Sequence, residues 1–303
     1  MLQAAEVSFA YGREPVLRGV SLDVPPGGFT AVLGPNGSGK TTLLKLLAGT
    51  LTPGAGTVRL DGVDLRATPR AARARRMAVV PQETHVAFDF TVLELVLMGR
   101  YPHLGAFEIE GPRDFEIARA ALAATGTLPF QDRPFMTLSG GEKQRVVIAA
   151  ALAQLGPFDS RESALAQDRP FDSGEPGRTR SVGAAPSERS IARVEGILLL
   201  DEPTAALDLR YQIELAALLR DLQGRFPISI VVSTNDLNFA ASVCRTLALL
   251  ESGRVIAHGP VDDVLTTDNV RMLYGVEAEV SRHPRTGHVV VVPIGRAGGE
   301  ARP

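Results

Sequence analysis

A chain of 303 residues, 45% hydrophobic and 22% charged, has enough apolar sequence to bury a substantial core in one large domain or two. Its formal charge of −2 excludes a uniformly basic nucleic-acid binder, and its apolar runs fall short of the roughly 18 residues a membrane-spanning helix needs. The single cysteine, Cys244, excludes an internal disulfide; it reads as a core residue of a protein from a reducing compartment, and Met1-Leu2-Gln3 enters strand-like sequence with no leader pattern.

Residues 2–33 read as strands, punctuated by Ala10-Tyr11-Gly12-Arg13 and Pro25-Pro26-Gly27-Gly28. The apolar run Phe29–Leu33 leads into Gly34-Pro35-Asn36-Gly37-Ser38-Gly39-Lys40-Thr41-Thr42, and an apolar helix follows to about residue 49. A strand, a glycine-rich turn and Lys-Thr at a helix start form a phosphate cradle. Glycines let the backbone wrap closely, and its N–H groups converge on an anion together with the positive end of the helix dipole. Lys40 adds a point charge for the β- and γ-phosphates, and Thr41 offers a hydroxyl to Mg²⁺. The chain has 29 arginines against 3 lysines, Lys40, Lys45 and Lys143. A surviving lysine here is informative, because a forked guanidinium does not replace a compact ammonium inside such a loop.

Further along, Thr57–Leu65 reads as a hairpin turning at Asp61-Gly62, and Met77–Val80 as a strand ending at Pro81-Gln82. Arg66, Arg70, Arg73, Arg75 and Arg76 read as a solvated face in an arginine-biased chain, so no nucleic-acid partner is expected. Residues 91–156 are mostly helical. Within them, Leu138-Ser139-Gly140-Gly141-Glu142-Lys143-Gln144-Arg145 precedes the apolar run Val146–Leu155. Ser139 is a candidate N-cap, which makes a second anion-binding helix start.

Residues 156–195 are rich in Ser, Arg, Glu, Pro and Gly and read as a disordered insertion. The segment is bordered by a duplication, with ALAQLGPFDSRE at 151–162 and ALAQDRPFDSGE at 164–175. It is expected at the end of its helix and strand away from the nucleotide. The buried strand Ile197–Leu200 follows, closing on Asp201-Glu202-Pro203-Thr204. Carboxylates at the C-terminal end of a strand stand where ligands of open α/β sheets gather. Asp201 suits Mg²⁺ and Glu202 suits a base for an attacking water. A helix at Arg210–Arg225, a strand at Ile228–Ser233 and further alternation run to about residue 275. A hairpin over Glu277–Pro293 and a frayed tail from Gly295 complete the chain.

These elements predict an α/β fold of the P-loop NTPase type, with a mixed sheet core, an N-terminal antiparallel β flank and a helical subdomain. The expected boundaries are 2–275 for the main domain, about 91–156 for its helical subdomain, and 276–303 for the terminal hairpin and tail.

The order GPNGSGKT, Pro81-Gln82, LSGGE, LLLLDEPT and Ala206-Leu207-Asp208 resembles the ATP-binding subunit of an ABC transporter. The resemblance covers about residues 2–293 apart from 156–195. It implies that Tyr11 stacks on adenine, that Gly34 through Thr42 hold the phosphates, and that Gln82 touches Mg²⁺ and the attacking water. It further implies that Ser139, Gly140 and Gly141 bind the γ-phosphate held by an opposite protomer, and that Asp208 lies in a loop crossing the interface. ATP and Mg²⁺ then close a homodimer that works on membrane permease subunits, with a substrate-binding protein engaged indirectly, at the cytoplasmic face of the membrane.

Met98-Gly99-Arg100-Tyr101-Pro102-His103 and Tyr274-Gly275-Val276-Glu277 resemble importers of ferric siderophores, haem or cobalamin, with residues 83–110 receiving a permease coupling helix. His103, His283 and His288 read as surface residues rather than metal ligands. One position departs from the family. A histidine is expected in the context Ser-Thr-His-Asp-Leu, and this chain has Ser233-Thr234-Asn235-Asp236-Leu237. Asn235 keeps a donor amide, is shorter, and cannot protonate. The alternative function is therefore an ATP-gated dimerising switch with weak hydrolysis.

Overall fold

The computed structural model describes residues 1–84, 88–156, 196–205 and 207–296. Strands β1 (Leu2–Tyr11), β2 (Glu14–Val24), β4 (Ala55–Leu60) and β5 (Val63–Asp64) form an antiparallel sheet in the order β2-β1-β4-β5. Leu2, Ala4 and Val7 of β1 and Leu17, Val20, Leu22 and Val24 of β2 are buried, with exposed residues between them, the pattern of a sheet with one solvated face.

A second sheet contains β3 (Phe29–Leu33), β6 (Met77–Val80), β7 (Gly196–Asp201), β8 (Ile228–Thr234), β9 (Thr246–Glu251) and β10 (Arg254–Pro260). Its order is β10-β9-β3-β8-β7-β6, parallel throughout except for β10 on the edge. Every residue of β3, β7 and β8 is buried, as continuous apolar strands covered on both faces must be. Successive side chains go to opposite faces. Val32, Leu199 and Val231 join α1 (Lys40–Leu47) and the antiparallel sheet in one core, while Leu33, Leu198, Leu200 and Ile230 join the helices on the other side.

Those helices include α3 (Val92–Leu97), α4 (Pro112–Ala124) and α5 (Gly140–Leu155), followed in the chain by α6 (Leu209–Arg225) and α7 (Leu237–Val243). A short α2 (Arg70–Ala74) precedes β6, and α8 (Val261–Val264) and α9 (Thr267–Tyr274) follow β10. Cys244 is buried beside α7, and burial pushes its thiol well up from its ordinary range. The expected α/β architecture with a mixed sheet is what forms.

The C-terminal hairpin, β11 (Val276–Arg282) with β12 (Val289–Arg296), runs further than the sequence suggested. Gly295 and Arg296, expected to fray, pair with Glu277 and Val276. Ala278, Val289 and Val291 anchor the hairpin in the main core. The tail beyond Arg296 and the expected insertion from residue 157 to 195 lie outside the described residues.

The borders of that insertion are informative. Helix α5 spans 16 residues, so its two ends are about 24 Å apart. A Cβ on Gly196 would stand 3.1 Å from Leu155 Cδ1, so the chain leaves α5 and re-enters β7 at one place. Asp201 lies at the other end of β7. Deletion of residues 157–194, closed by a short linker, is expected to leave ATP affinity within about twofold, measured by calorimetric titration, because loop length is weakly coupled to stability.

Candidate functional site

Parallel strands in the order β3-β8-β7-β6 bring four chain segments to one sheet edge. Leu33 of β3 registers with Thr234 of β8, Ser233 with Asp201 of β7, and Leu200 with Val80 of β6. The residues that follow are the glycine-rich loop, Asn235, Glu202 and Gln82. Segments far apart in sequence thus share the C-terminal edge, where open α/β sheets bind ligands.

The loop is built tightly. A Cβ on Gly34 would lie 2.2 Å from the Leu250 carbonyl oxygen and 2.6 Å from Ser38 Oγ, so only glycine fits. Asn36 and Gly37 form the exposed crest, while Ser38, Lys40 and Thr42 are buried. Ser38 Oγ has no hydrogen-bond partner among the described residues. Helix α1 begins at Gly39 with no side-chain cap, whereas α5, α6 and α7 are capped by Ser139, Asp208 and Asp236. An uncapped helix start beside an orphaned buried hydroxyl fits an oxyanion, which would take both sets of donors.

Lys40 is 4% exposed. Its ammonium donates to the carbonyls of Gly34 (2.9 Å) and Pro35 (3.1 Å) and pairs with Glu202 Oε1 at 3.1 Å. Glu202 itself has a left-handed backbone, φ 43°, and its N–H donates to Ser233 O (3.0 Å) and Ser233 Oγ (3.1 Å). Gln82 Nε2 reaches Glu202 Oε2 at 3.5 Å.

Beside this pair, Asp201 Oδ1 accepts from the hydroxyls of Thr41 (3.1 Å) and Ser233. One hydroxyl and one carboxylate in contact match what Mg²⁺ takes from a protein when phosphate oxygens and waters complete its shell. Among the described residues no cluster of three His, Cys, Asp or Glu side chains is placed to hold a metal unaided. The donor set therefore fits a metal that arrives with phosphate.

Tyr11 ends β1, half exposed, with its ring edge-on to Phe9 at 4.9 Å. Val16 and Leu17 of β2 press on Gly39, which brings the Tyr11–Glu14 turn beside the loop.

The second anion-binding candidate forms a capping box. Ser139 N–H and Oγ both donate to Glu142 Oε2 at 2.8 Å, and Glu142 N–H donates back to Ser139 Oγ at 3.4 Å. These bonds to Ser139 hold the Glu142 carboxyl below its ordinary range. No hydrogen bond or ion pair among the described residues joins Ser139, Gly140 or Gly141 to the phosphate loop. Asp208 caps α6 by accepting from Tyr211 N–H at 3.1 Å, and the Tyr211 ring lies on Gly141. Ser233 and Tyr211 make contacts at the site that sequence reasoning missed. Ser233 left one faint signal, a small polar residue ending a buried aliphatic strand.

One sequence reading is corrected. His103 is half buried: Nε2 bonds the Gln154 carbonyl at 2.7 Å, and Arg100 reaches Ala153 O at 2.7 Å, together closing the last turn of α5. The arginine cluster stays largely on the surface, as expected: Arg66, Arg70 and Arg75 are exposed, while Arg66 pairs with Asp64, Arg73 with Gly49 O, Arg75 with Pro102 O and Arg76 with Asp61.

A Cβ at position 141 would stand 2.2 Å from Tyr211 Cδ1. Gly141→Ala is expected to displace the start of α5 or α6 and cost about 1–3 kcal/mol by overpacking. Thermal unfolding checks this, and Gly141→Ala with Tyr211→Ala should recover most of the loss.

Residues 17–157 match the family model described as ABC transporter. The chain is 40% identical over 299 residues to the hemin import ATP-binding protein HmuV of Gloeobacter violaceus, covering 98% of this chain and 95% of that protein. It is 37% identical over 279 residues to the cobalamin import ATP-binding protein BtuD of Halobacterium salinarum, covering 92% of this chain and 60% of that one. Among solved structures, a chain assigned to a metal-chelate type ABC transporter, in an inward-facing conformation, superposes with a TM-score of 0.74 at 26% identity, covering 97% of this chain and 96% of that one. The protein belongs to the ABC transporter family, among its ATP-binding subunits.

Proposed function

We propose that the chain binds ATP with Mg²⁺, pairs with a second copy of itself, and hydrolyses ATP to drive uptake of a haem-, cobalamin- or ferric-siderophore-type substrate through a membrane permease. The observation that carries the substrate class is the 40% identity to a hemin import subunit across 98% of the chain.

The residues take their roles from position. Gly34 through Thr42 wrap the phosphates with backbone N–H groups, Lys40 supplies the buried positive charge, and Tyr11 offers its exposed ring to adenine. Thr41 and Asp201 would hold Mg²⁺, with Gln82 at its edge. Bound there, the ion neutralises charge on the β- and γ-phosphate oxygens. Glu202 polarises the attacking water, and Gln82 and Asn235 orient it from the neighbouring strand ends. Ser139, Gly140 and Gly141 present the α5 start to the γ-phosphate of a second protomer, with Asp208 crossing between the two. Their lack of a bond to their own phosphate loop supports that composite arrangement.

The exposed apolar residues Phe88, Tyr101, Phe107 and Ile109 suit contact with a coupling helix of the permease. Among the described residues no helix is long and apolar enough to cross a membrane. The chain is then a peripheral subunit at the cytoplasmic face, reached by a substrate-binding protein only through the permease. The hydrolysing reading is kept over the weak-hydrolysis switch because the Lys40–Glu202–Gln82 and Thr41–Asp201 contacts are all in place.

Reconstitution with its permease and binding protein in liposomes is expected to give ATP-dependent uptake of one of the three chelates. ATP turnover that no chelate-loaded binding protein stimulates would refute the substrate class. Asn235→His is expected to raise kcat about tenfold with KM for ATP unchanged, since a better-aligned donor acts on the transition state.

A further inference from the structure

We propose that Tyr274, at the C-terminal end of α9, is a positioning residue for hydrolysis that holds the Asn235 peptide from outside its own loop; this rests on the catalytic reading of Asn235. The loop between β8 and α7 is fixed locally by two bonds. Asp236 N–H donates to Thr234 Oγ1 at 3.0 Å, and Phe239 N–H donates to Asp236 Oδ1 at 2.9 Å. Neither bond touches Asn235 itself. Its carbonyl oxygen accepts from the Tyr274 hydroxyl at 3.2 Å, across 39 residues of sequence. The Asn235 carboxamide is exposed and has no partner among the described residues, so its aim depends on its backbone.

The segment carrying Tyr274 is itself anchored. Its ring packs against the main core, and Leu273 and Val270 of the same helix are buried. Immediately after α9, the terminal hairpin docks on α7 through a reciprocal pair. Asn238 Nδ2 donates to Val291 O at 3.1 Å, and Val291 N–H donates to Asn238 Oδ1 at 2.8 Å. One C-terminal unit thus attaches to this segment twice, Tyr274 at the Asn235 carbonyl and Val291 at Asn238, three residues on. Burial, with the nearby Asp236 and Glu202 carboxylates, pushes the Tyr274 phenol well up, so the hydroxyl stays a donor at every working pH.

Tyr274→Phe removes the hydroxyl and leaves the ring. In the complex with the permease it is expected to lower kcat about three- to tenfold, the range of one lost hydrogen bond, with KM for ATP and the unfolding midpoint unchanged. The same substitution in an Asn235→Ala background is expected to have no further effect, because the group being aimed is already gone. An unchanged kcat in Tyr274→Phe, or a loss that persists in full beside Asn235→Ala, overturns the positioning role while leaving the Asn235 reading intact. An unchanged kcat in Asn235→Ala alone overturns the Asn235 reading, and the inference with it.

Discussion

A buried ammonium needs partners, and the site is organised around meeting that need at Lys40. Removing a charge from water costs several kcal/mol unless it is paired and hydrogen-bonded. Two loop carbonyls and the Glu202 carboxylate supply the pairing here. The carbonyls come from Lys40's own loop, but Glu202 comes from β7, two strands away in the sheet with β8 between. The contact therefore requires that β3, β8 and β7 be adjacent and parallel and that α1 be wedged between the two sheets. It also requires the left-handed turn at Glu202, which Ser233 on the intervening strand stabilises with two acceptors. In this arrangement Glu202 occupies the place at Lys40 that phosphate oxygens would contest. A polyphosphate brings more negative charge than one carboxylate, so its arrival would free Glu202 while Gln82 remains beside it.

The other end of the chain's chemistry is joined to this one by packing rather than by polar contact. From Glu202 the chain passes to Asp208, which caps α6, and the first turn of α6 lays Tyr211 on Gly141. Arg145 of α5 reaches Glu214 of α6 at 3.7 Å along the same seam.

Features resting on short stretches of chain were legible before the fold was known. Gly34 through Thr42 form a single turn and helix start, and Ser139 caps the helix that begins one residue later. The strand runs of β3, β7 and β8 are mostly apolar, broken only by small polar residues such as Thr30 and Ser229, so their burial was readable too. What escaped notice depends on contacts across space. Nothing near Tyr211 announces that its ring meets Gly141, and nothing near Tyr274 points to Asn235. His103 looked like a surface residue because the α5 carbonyls it closes lie 51 residues away. Gly295 and Arg296 resembled a tail because their partners, Glu277 and Val276, stand at the far end of the hairpin.

Glu202 and nucleotide phosphate are expected to compete for Lys40. Equilibrium binding of ATP to Glu202→Gln, compared with the unaltered chain, tests this competition, because the amide keeps the size and one acceptor oxygen but drops the charge. ATP binding is expected to be about three- to tenfold tighter, together with loss of hydrolysis. Unchanged or weaker ATP binding would contradict the competition.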